Sequence, residues 1–396
     1  MRIVHYLRAI RLEEGGIVRA VLDLATLTAA SGHDVRVVTF DDTDTPDAWR
    51  SGTAVPRVER IDAPAGLLGR FTAPQLARWR DLLEGADVLH LHAVWHAANS
   101  QLGSLADTLG TPYVVSVHGM LDDWCMSQRG LKKRAFLAAF ARGTLERARF
   151  VHCTAEGELR QARKRFPRGR GIVIPLVFDL TPYRSLPGPA LATDRFGPNG
   201  TGDLAPGEPT VLFLSRVHYK KGVDVLIRAV ADLAHAGRSL RCIVAGTGDN
   251  AYLERMRALA ASLGVADRVR FVGMVTGDLK LSLYQLADVF ALPTSQENFG
   301  FVLPESLACG TPVVTTEGVD IWPELVDGGG AVVAERTPAA FARETAALLD
   351  DPARRERMGR QGREWVMRYL DGESVAEKYE DLYRRAASRS DATLDA

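Results

Sequence analysis

Val211-Leu-Phe-Leu-Ser-Arg-Val-His-Tyr-Lys-Lys-Gly-Val223 joins an apolar run, Val211–Leu214, to a polar loop that ends at Gly222. A helical stripe follows at Val223, Leu226, Val230 and Leu233, then Gly237 and a second apolar run, Leu240–Ala245. Apolar positions three and four apart mark one face of a helix, and short apolar runs bounded by turn residues mark strands buried on both faces. The segment therefore reads as a β-α-β unit. The chain opens in the same order: the run Ile3–Leu7, a loop ending in Gly15-Gly16, a stripe at Ile17, Ala20, Val21, Leu24 and Leu27, a stop at Ser31-Gly32, and the run Val35–Phe40. Further strand-like runs at Val88–His92, Tyr113–Val117 and Phe150–Cys153 alternate with helical stretches in the first half. Val269–Val272, Val289–Leu292 and Pro312–Thr315 do so in the second. This grammar predicts an α/β protein of two halves, each a parallel sheet covered by helices.

Between the halves, 187–209 holds ten Gly or Pro in twenty-three residues without periodicity, which marks a linker. The expected division is an N-terminal domain over 1–186, the linker 187–209, a C-terminal domain over 210–365, and a helix and tail over 366–396. The charged helical pattern from Arg354 to Arg385 is long enough to pack back across a domain boundary. Ligands of such sheets bind beyond the carboxyl ends of the strands, so the loops after the first strand of each half are expected to face one another across a cleft.

At 396 residues with 46% hydrophobic content and zero formal net charge, the composition is that of a globular protein with room for two cores. Cys125, Cys153, Cys242 and Cys309 are scattered, which excludes a disulfide or zinc framework and fits reduced thiols in a cytoplasm. The opening Met-Arg-Ile-Val-His-Tyr-Leu-Arg is charged too early for a signal peptide, and no apolar stretch reaches membrane-spanning length, so a location inside the cell is expected. Charge is uneven, however. Between Ser127 and Arg170 thirteen Lys or Arg stand against Glu146, Glu156 and Glu158, an excess of ten positive charges. Such a segment is either a solvated helical face or a surface for anionic lipid headgroups at the inner face of the membrane. No nucleic-acid motif accompanies it.

Four stretches carry candidate chemistry. Glu297 and Glu305 stand with seven residues between them in Glu297-Asn-Phe-Gly-Phe-Val-Leu-Pro-Glu305. Pro304 suits a first helical turn and Cys309-Gly310 its end, so Glu305 belongs at a helix start and Glu297 in the preceding loop, where backbone N–H groups and carboxylates meet a phosphate and sugar hydroxyls. Arg216 and Lys221 share a loop at a strand end and can converge on one anion; taken alone they read first as two exposed bases, and Lys220 competes for the role. Fixed cations on a departing diphosphate stabilise its growing charge by about 2–4 kcal/mol each. Gly15-Gly16 lets backbone approach a phosphate, or simply caps a helix. His118 follows the run Tyr113–Val117 at a strand end, with Asp122, Asp123 and Trp124 close behind as sugar-binding types.

Other signals read less well. Gly246-Thr-Gly248 with Asp267 resembles a dinucleotide fingerprint, but Asp267 precedes the next strand instead of ending it. Asp42 and Asp44 are either a metal-binding pair or a solvated loop. His90, His92 and His96 lack a fourth zinc ligand, which leaves His92 and His96 as acceptor-side candidates.

Gly15-Gly16, Ser116-Val-His-Gly-Met120, Ser215-Arg-Val-His-Tyr-Lys-Lys-Gly222 and Glu297 to Glu305, in this order along nearly the whole chain, together resemble the retaining glycosyltransferases of the GT-B group, family 4-like. That group includes bacterial mannosyl- and glucosyltransferases of polysaccharide and glycolipid assembly. The resemblance implies a nucleotide diphosphate sugar as co-substrate, a glycan or lipid-linked acceptor, and no metal or other cofactor. It implies catalytic roles for His118, Arg216, Lys221 and Glu297. Donor binding falls to Gly15, Gly16, Gly273, Asn298, Phe299, Gly300, Phe301 and Glu305, with Glu297 on the sugar and Glu305 on the ribose. His92, His96, Asp122, Asp123 and Trp124 fall on the acceptor side. Where members carry Pro-Asn-Gly followed by Val-Asp, this chain reads Ile174-Pro-Leu-Val-Phe-Asp179, without the asparagine and glycine. Rival functions are a nucleotide-sugar epimerase or glycan phosphorylase on the same fold, or a non-catalytic glycan-binding subunit.

Overall fold

The computed structural model describes residues 1–196 and 207–388; the stretch 197–206 of the expected linker and the tail from 389 lie outside the described residues. The chain forms two compact units, Met1–Phe178 together with the chain from Gly372, and Asp179–Asp371.

The first unit is a parallel sheet of β1 (Arg2–Tyr6), β2 (Asp34–Thr39), β3 (Arg57–Arg60), β4 (Val88–His92), β5 (Tyr113–Ser116), β6 (Phe150–Cys153) and β7 (Gly171–Val173), in the order β3-β2-β1-β4-β5-β6-β7. The second holds β8 (Thr210–Leu214), β9 (Arg241–Ala245), β10 (Val269–Gly273), β11 (Val289–Ala291), β12 (Val313–Thr315) and β13 (Ala331–Val333), in the order β10-β9-β8-β11-β12-β13. Both sheets are parallel throughout, as the two-unit Rossmann-like expectation requires. In each, the order reverses beside the first strand: β1 lies between β2 and β4, and β8 between β9 and β11. Loops leaving the carboxyl ends at that point diverge to opposite faces and open a crevice.

Edge strands escaped the periodicity. β3 reads Arg-Val-Glu-Arg and stands at a sheet edge, where charged side chains block further pairing. A helix also lies inside the segment 187–209. Ala190–Phe196 packs on the second unit with Ala192 and Phe196 buried, the Ala192 N–H donating to Ser282 Oγ (2.9 Å) and the Gly188 N–H to Gln285 Oε1 (2.8 Å). Among the described residues no helix is long and apolar enough to cross a membrane.

In the first unit the alternation of strand side chains sorts two faces. Val4, Tyr6, Leu89, Leu91, Tyr113, Val115, Val151 and Cys153 pack in one apolar cluster, while Ile3, Val88, Val114 and Phe150 pack in another on the opposite face. Beyond that second apolar row, the same face carries polar side chains at the strand ends: His5, His90, His92, Ser116 and His152, all buried. Buried polar groups cost free energy unless they are hydrogen-bonded. Most of this demand is met within the belt and by the helix Gly372–Ala387, which returns to the first unit and buries Val375, Tyr379, Leu382 and Tyr383 there. The Tyr383 hydroxyl lies 2.9 Å from His90 Nδ1. His90 Nε2 meets Ser116 Oγ at 2.7 Å, and Ser116 Oγ meets His152 Nδ1 at 2.6 Å. His152 Nε2 bonds the Ile174 carbonyl (2.9 Å) and lies 3.3 Å from the Tyr379 hydroxyl. The C-terminal helix thus clamps the belt with two hydroxyls one turn apart.

Two consequences are measurable. Tyr383→Phe keeps the shape but strands a buried imidazole nitrogen, and should cost about 1–3 kcal/mol in equilibrium denaturation of the full chain. Burial also holds the belt neutral: it pushes His5 down to about 3 and His152 to about 4, and holds His90 and His92 well below the ordinary histidine range. Unfolded, these rings take up protons as pH falls through about 6.5 while the folded state resists. Stability is therefore full above that pH and declines below it, by at most about 1.4 kcal/mol per pH unit for each ring. Denaturation midpoints at pH 7.5, 6.0 and 5.0 should fall in that order.

Candidate active site

In the second unit the chemistry gathers at the carboxyl ends of β8 and β11. After β8 the chain turns through Ser215–His218 into a short 3-10 turn, Tyr219–Lys221, and Gly222 adopts φ 74°. A Cβ at Gly222 would overlap the Pro293 carbonyl oxygen after β11, so only glycine lets the two loops meet. The Lys220 carbonyl then accepts from the Ser295 N–H (2.7 Å) and Thr294 Oγ1 (3.1 Å), and Arg336 Nε donates to the Pro293 carbonyl (2.9 Å). This lacing brings Lys221 Nζ into an ion pair with Glu297. Lys221 is 7% exposed. Burial, with Arg216 and Lys220 as cationic neighbours, pushes its ammonium down to about 8; the Glu297 carboxylate stands against that trend and favours the charged form. Arg216 is solvent-exposed on the same loop.

Glu297 is held by its backbone, its N–H donating to the Gly318 carbonyl (2.8 Å) and its carbonyl accepting from the Asp320 N–H (2.9 Å). Asn298 Nδ2 donates to the buried Asp320 carboxylate at 3.2 Å. Phe299 is buried with its ring 5.3 Å from that of Phe301, and Gly300 turns at φ 64°. Glu305 lies in the first turn of the helix Val302–Ala308, as its spacing from Pro304 and Cys309 predicts. It receives Lys280 Nζ at 2.9 Å and the Tyr284 hydroxyl at 3.0 Å. Gly273 ends β10 two strands from β8, its carbonyl accepting from the Gly246 N–H at 2.7 Å. The glycine at 246 has a packing cause, since a Cβ there would overlap the Ser215 carbonyl oxygen.

In the first unit, Gly15 caps the helix Gly16–Ala30 with φ 102°, and a side chain at either glycine would meet open space. Their loop is tied down by the Leu12 N–H donating to Asp44 Oδ2 (2.7 Å) and by Arg11 pairing with Asp41. His118 ends the turn after β5 in the left-handed region, φ 49°, with its Nε2 3.1 Å from His92 Nδ1. The next N–H, of Gly119, donates to the buried Glu158 carboxylate, which also takes the Thr154 N–H at 2.5 Å. Desolvation pushes the His118 ring down to about 3, with His152 adding to the effect.

The acceptor-side candidates divide. His92 is buried at 3% exposure, behind His118. His96 is half-buried just before the helix Ala97–Leu109, and burial lowers its pKa. Asp122 is buried and caps the helix Asp123–Ser127 by accepting from the Cys125 N–H. Asp123 is taken by Lys164 Nζ (2.6 Å) and Arg165 Nη2 (2.8 Å), with Trp124 half-buried beside it. Among the described residues, the metal-type grouping within 4.8 Å is His5, His90 and His92, with His5 where His96 was considered. Sequence reading passed over Glu158, Asp320, Lys280, Tyr284 and His5. Each acts through a partner far away in the chain, and His5 sits inside an apolar run that conceals it.

Each of the two units matches a known family. Residues 15–176 match the family described as glycosyl transferase 4-like domain, and 202–365 match glycosyl transferases group 1. A D-inositol 3-phosphate glycosyltransferase of Kineococcus radiotolerans is 29% identical over 94% of this chain and 91% of its own length. A GDP-mannose-dependent alpha-(1-6)-phosphatidylinositol monomannoside mannosyltransferase of Mycobacterium tuberculosis is 36% identical over 50% of this chain and 54% of its own. With several curated relatives the match spans about half of their length. Sucrose-phosphate synthase of Thermosynechococcus elongatus shares the fold, with TM-score 0.73 at 22% identity over 98% of this chain and 100% of that one. Each of the two parallel-sheet units thus matches one of these glycosyl transferase families, the first the 4-like domain and the second group 1, and the chain has the GT-B fold.

Proposed function

We propose that the protein is a retaining, metal-independent hexosyltransferase that moves a hexose from a nucleotide diphosphate sugar to a glycan or lipid-linked acceptor. The observation that carries this reading is the buried Lys221 ammonium paired with Glu297, with Arg216 exposed on the same loop. In the bond-breaking step the sugar C1–oxygen bond to the diphosphate opens and negative charge grows on the leaving group. Arg216 and Lys221 neutralise that charge as fixed cations, which is the task a metal performs elsewhere. Glu297 accepts hydrogen bonds from hydroxyls of the transferred sugar, Glu305 serves the ribose, and the backbone of Asn298–Phe301 lines the diphosphate. His118 is assigned to the transferred sugar near its reacting carbon. The acceptor oxygen forms the new bond to C1 on the face the diphosphate leaves, and its proton passes to a diphosphate oxygen.

The two relatives are named for an inositol phosphate and a mannosylated phosphatidylinositol, so inositol-containing acceptors head the substrate panel. A thermal-shift series with UDP, GDP and ADP identifies the base. Arg216→Ala is the cleanest test of the chemistry, because Arg216 is exposed whereas Lys221→Ala also leaves Glu297 without its partner. The expected result is a fall in kcat of about 10²–10³-fold with an unchanged melting temperature. Lys220→Ala should be milder, and unchanged turnover in the Arg216 variant would remove the phosphate assignment.

A peripheral membrane role is part of the same proposal. The helix Gly130–Phe136 exposes Leu131 (83%) beside exposed Lys132 and Arg134, while Lys133 turns inward to the Cys125 carbonyl at 2.6 Å. An apolar residue flanked by bases suits an anionic bilayer surface. Vesicles containing anionic phospholipid should retain the protein at low salt and release it at high salt, and Lys132→Glu with Arg134→Glu should abolish retention. Equal retention by neutral vesicles would refute the electrostatic part.

A further inference from the structure

We propose that His92 is a positioning residue that fixes the tautomer of His118, so that His118 offers its ligand an Nδ1–H donor and no basic lone pair. This rests on the assignment of His118 to the transferred sugar. Three rings form a chain: His5 Nδ1 lies 3.0 Å from His92 Nε2, and His92 Nδ1 lies 3.1 Å from His118 Nε2. The His5 and His92 rings are stacked with centroids 5.3 Å apart at 9°, and His92 and His118 stand 5.4 Å apart at 31°. His5 is fully buried, and among the described residues its Nε2 has no hydrogen-bond partner.

That orphan sets the direction. A neutral imidazole carries one N–H and one lone pair, so every ring in such a chain donates the same way. If the chain ran from His118 inward, His5 would end it with a buried, unpaired N–H, the orphan that folded proteins most strongly avoid. Run outward, it ends on an unpaired lone pair, the lesser of the two orphans. His5 Nδ1–H then donates to His92 Nε2, His92 Nδ1–H donates to His118 Nε2, and the proton of His118 resides on Nδ1. Desolvation, which disfavours the imidazolium in all three rings, keeps the chain in this neutral form. The backbone holds the other side of the clamp, with His118 at φ 49° and the Gly119 N–H on Glu158.

A metal held by His5, His90 and His92 is the competing use of these atoms. His90 already spends Nδ1 on Tyr383 and Nε2 on Ser116, and His92 spends both nitrogens on His5 and His118. A cation would have to displace several of these bonds.

The test uses the full chain with ¹⁵N-labelled histidine. In the wild type the His118 ring should show the Nδ1–H tautomer in its nitrogen shifts. His92→Phe should shift it toward Nε2–H and lower kcat by about 10²-fold, with KM changed by less than about threefold, as expected for a misaligned group. His92→Asn, whose amide N–H can stand where Nδ1–H stood, should restore both the tautomer and most of kcat. An Nε2–H tautomer in the wild type, a His118 signal indifferent to His92→Phe, or stoichiometric zinc retained through dialysis would each overturn the inference. The wild-type spectrum decides even if His92→Phe fails to fold. If His118→Ala leaves kcat unchanged, the sugar assignment fails, and the nitrogen shifts still decide whether His92 positions the ring.

Discussion

A parallel sheet covered on both faces confines polar chemistry to its strand ends, and both units of this protein are built under that constraint. Strand interiors read as continuous apolar runs because water reaches neither face. Functional groups therefore collect on the loops beyond the carboxyl termini, and most of all beside β1 and β8, where the strand order reverses. Gly222 shows how tightly those loops are set, since a single methyl would force the β8 and β11 loops apart and with them Lys221 and Glu297.

The two units handle buried polarity differently. The second uses charge, in the ion pairs of Lys221 with Glu297 and Lys280 with Glu305 and in the buried carboxylate of Asp320 that takes Asn298. Removing one member of such a pair leaves a charge without compensation, which is why buried pairs are unforgiving even where their net contribution to stability is small. At the strand ends of the first unit the buried belt is neutral, apart from the carboxylates of Asp122 and Glu158 buried in the loops beyond. Imidazoles, a serine and two tyrosine hydroxyls satisfy one another across four strands and a helix. Neutral rings avoid the desolvation cost of charge, but each demands a correctly directed partner.

Much of this was legible because the apolar runs and turn residues report burial directly. Ile3–Leu7 and Val211–Leu214 are strands for the same physical reason, and the Glu297 to Glu305 spacing placed a loop and a helix start where the structure has them. What stayed hidden depends on contacts distant in sequence or on edges. β3 carries charge because it faces solvent, and the helix Ala190–Phe196 is flanked by Gly and Pro that read as linker. The partners of His118 and Asn298, which are His92, Glu158 through Gly119, and Asp320, carry no local signature. Asp122 and Asp123 looked like sugar-binding carboxylates by type, while the structure shows one capping a helix and the other paired with two bases.

The return of Gly372–Ala387 to the first unit has a consequence for synthesis. A ribosome releases the chain from its N-terminus, and domains generally fold as they emerge. The second unit, contiguous from Asp179 to Asp371, is complete before the last element of the first has been made. Until Tyr379 and Tyr383 arrive, the nascent first unit presents unsealed imidazoles to water. Its final packing is thus a late step that closes only after its neighbour in the chain has formed.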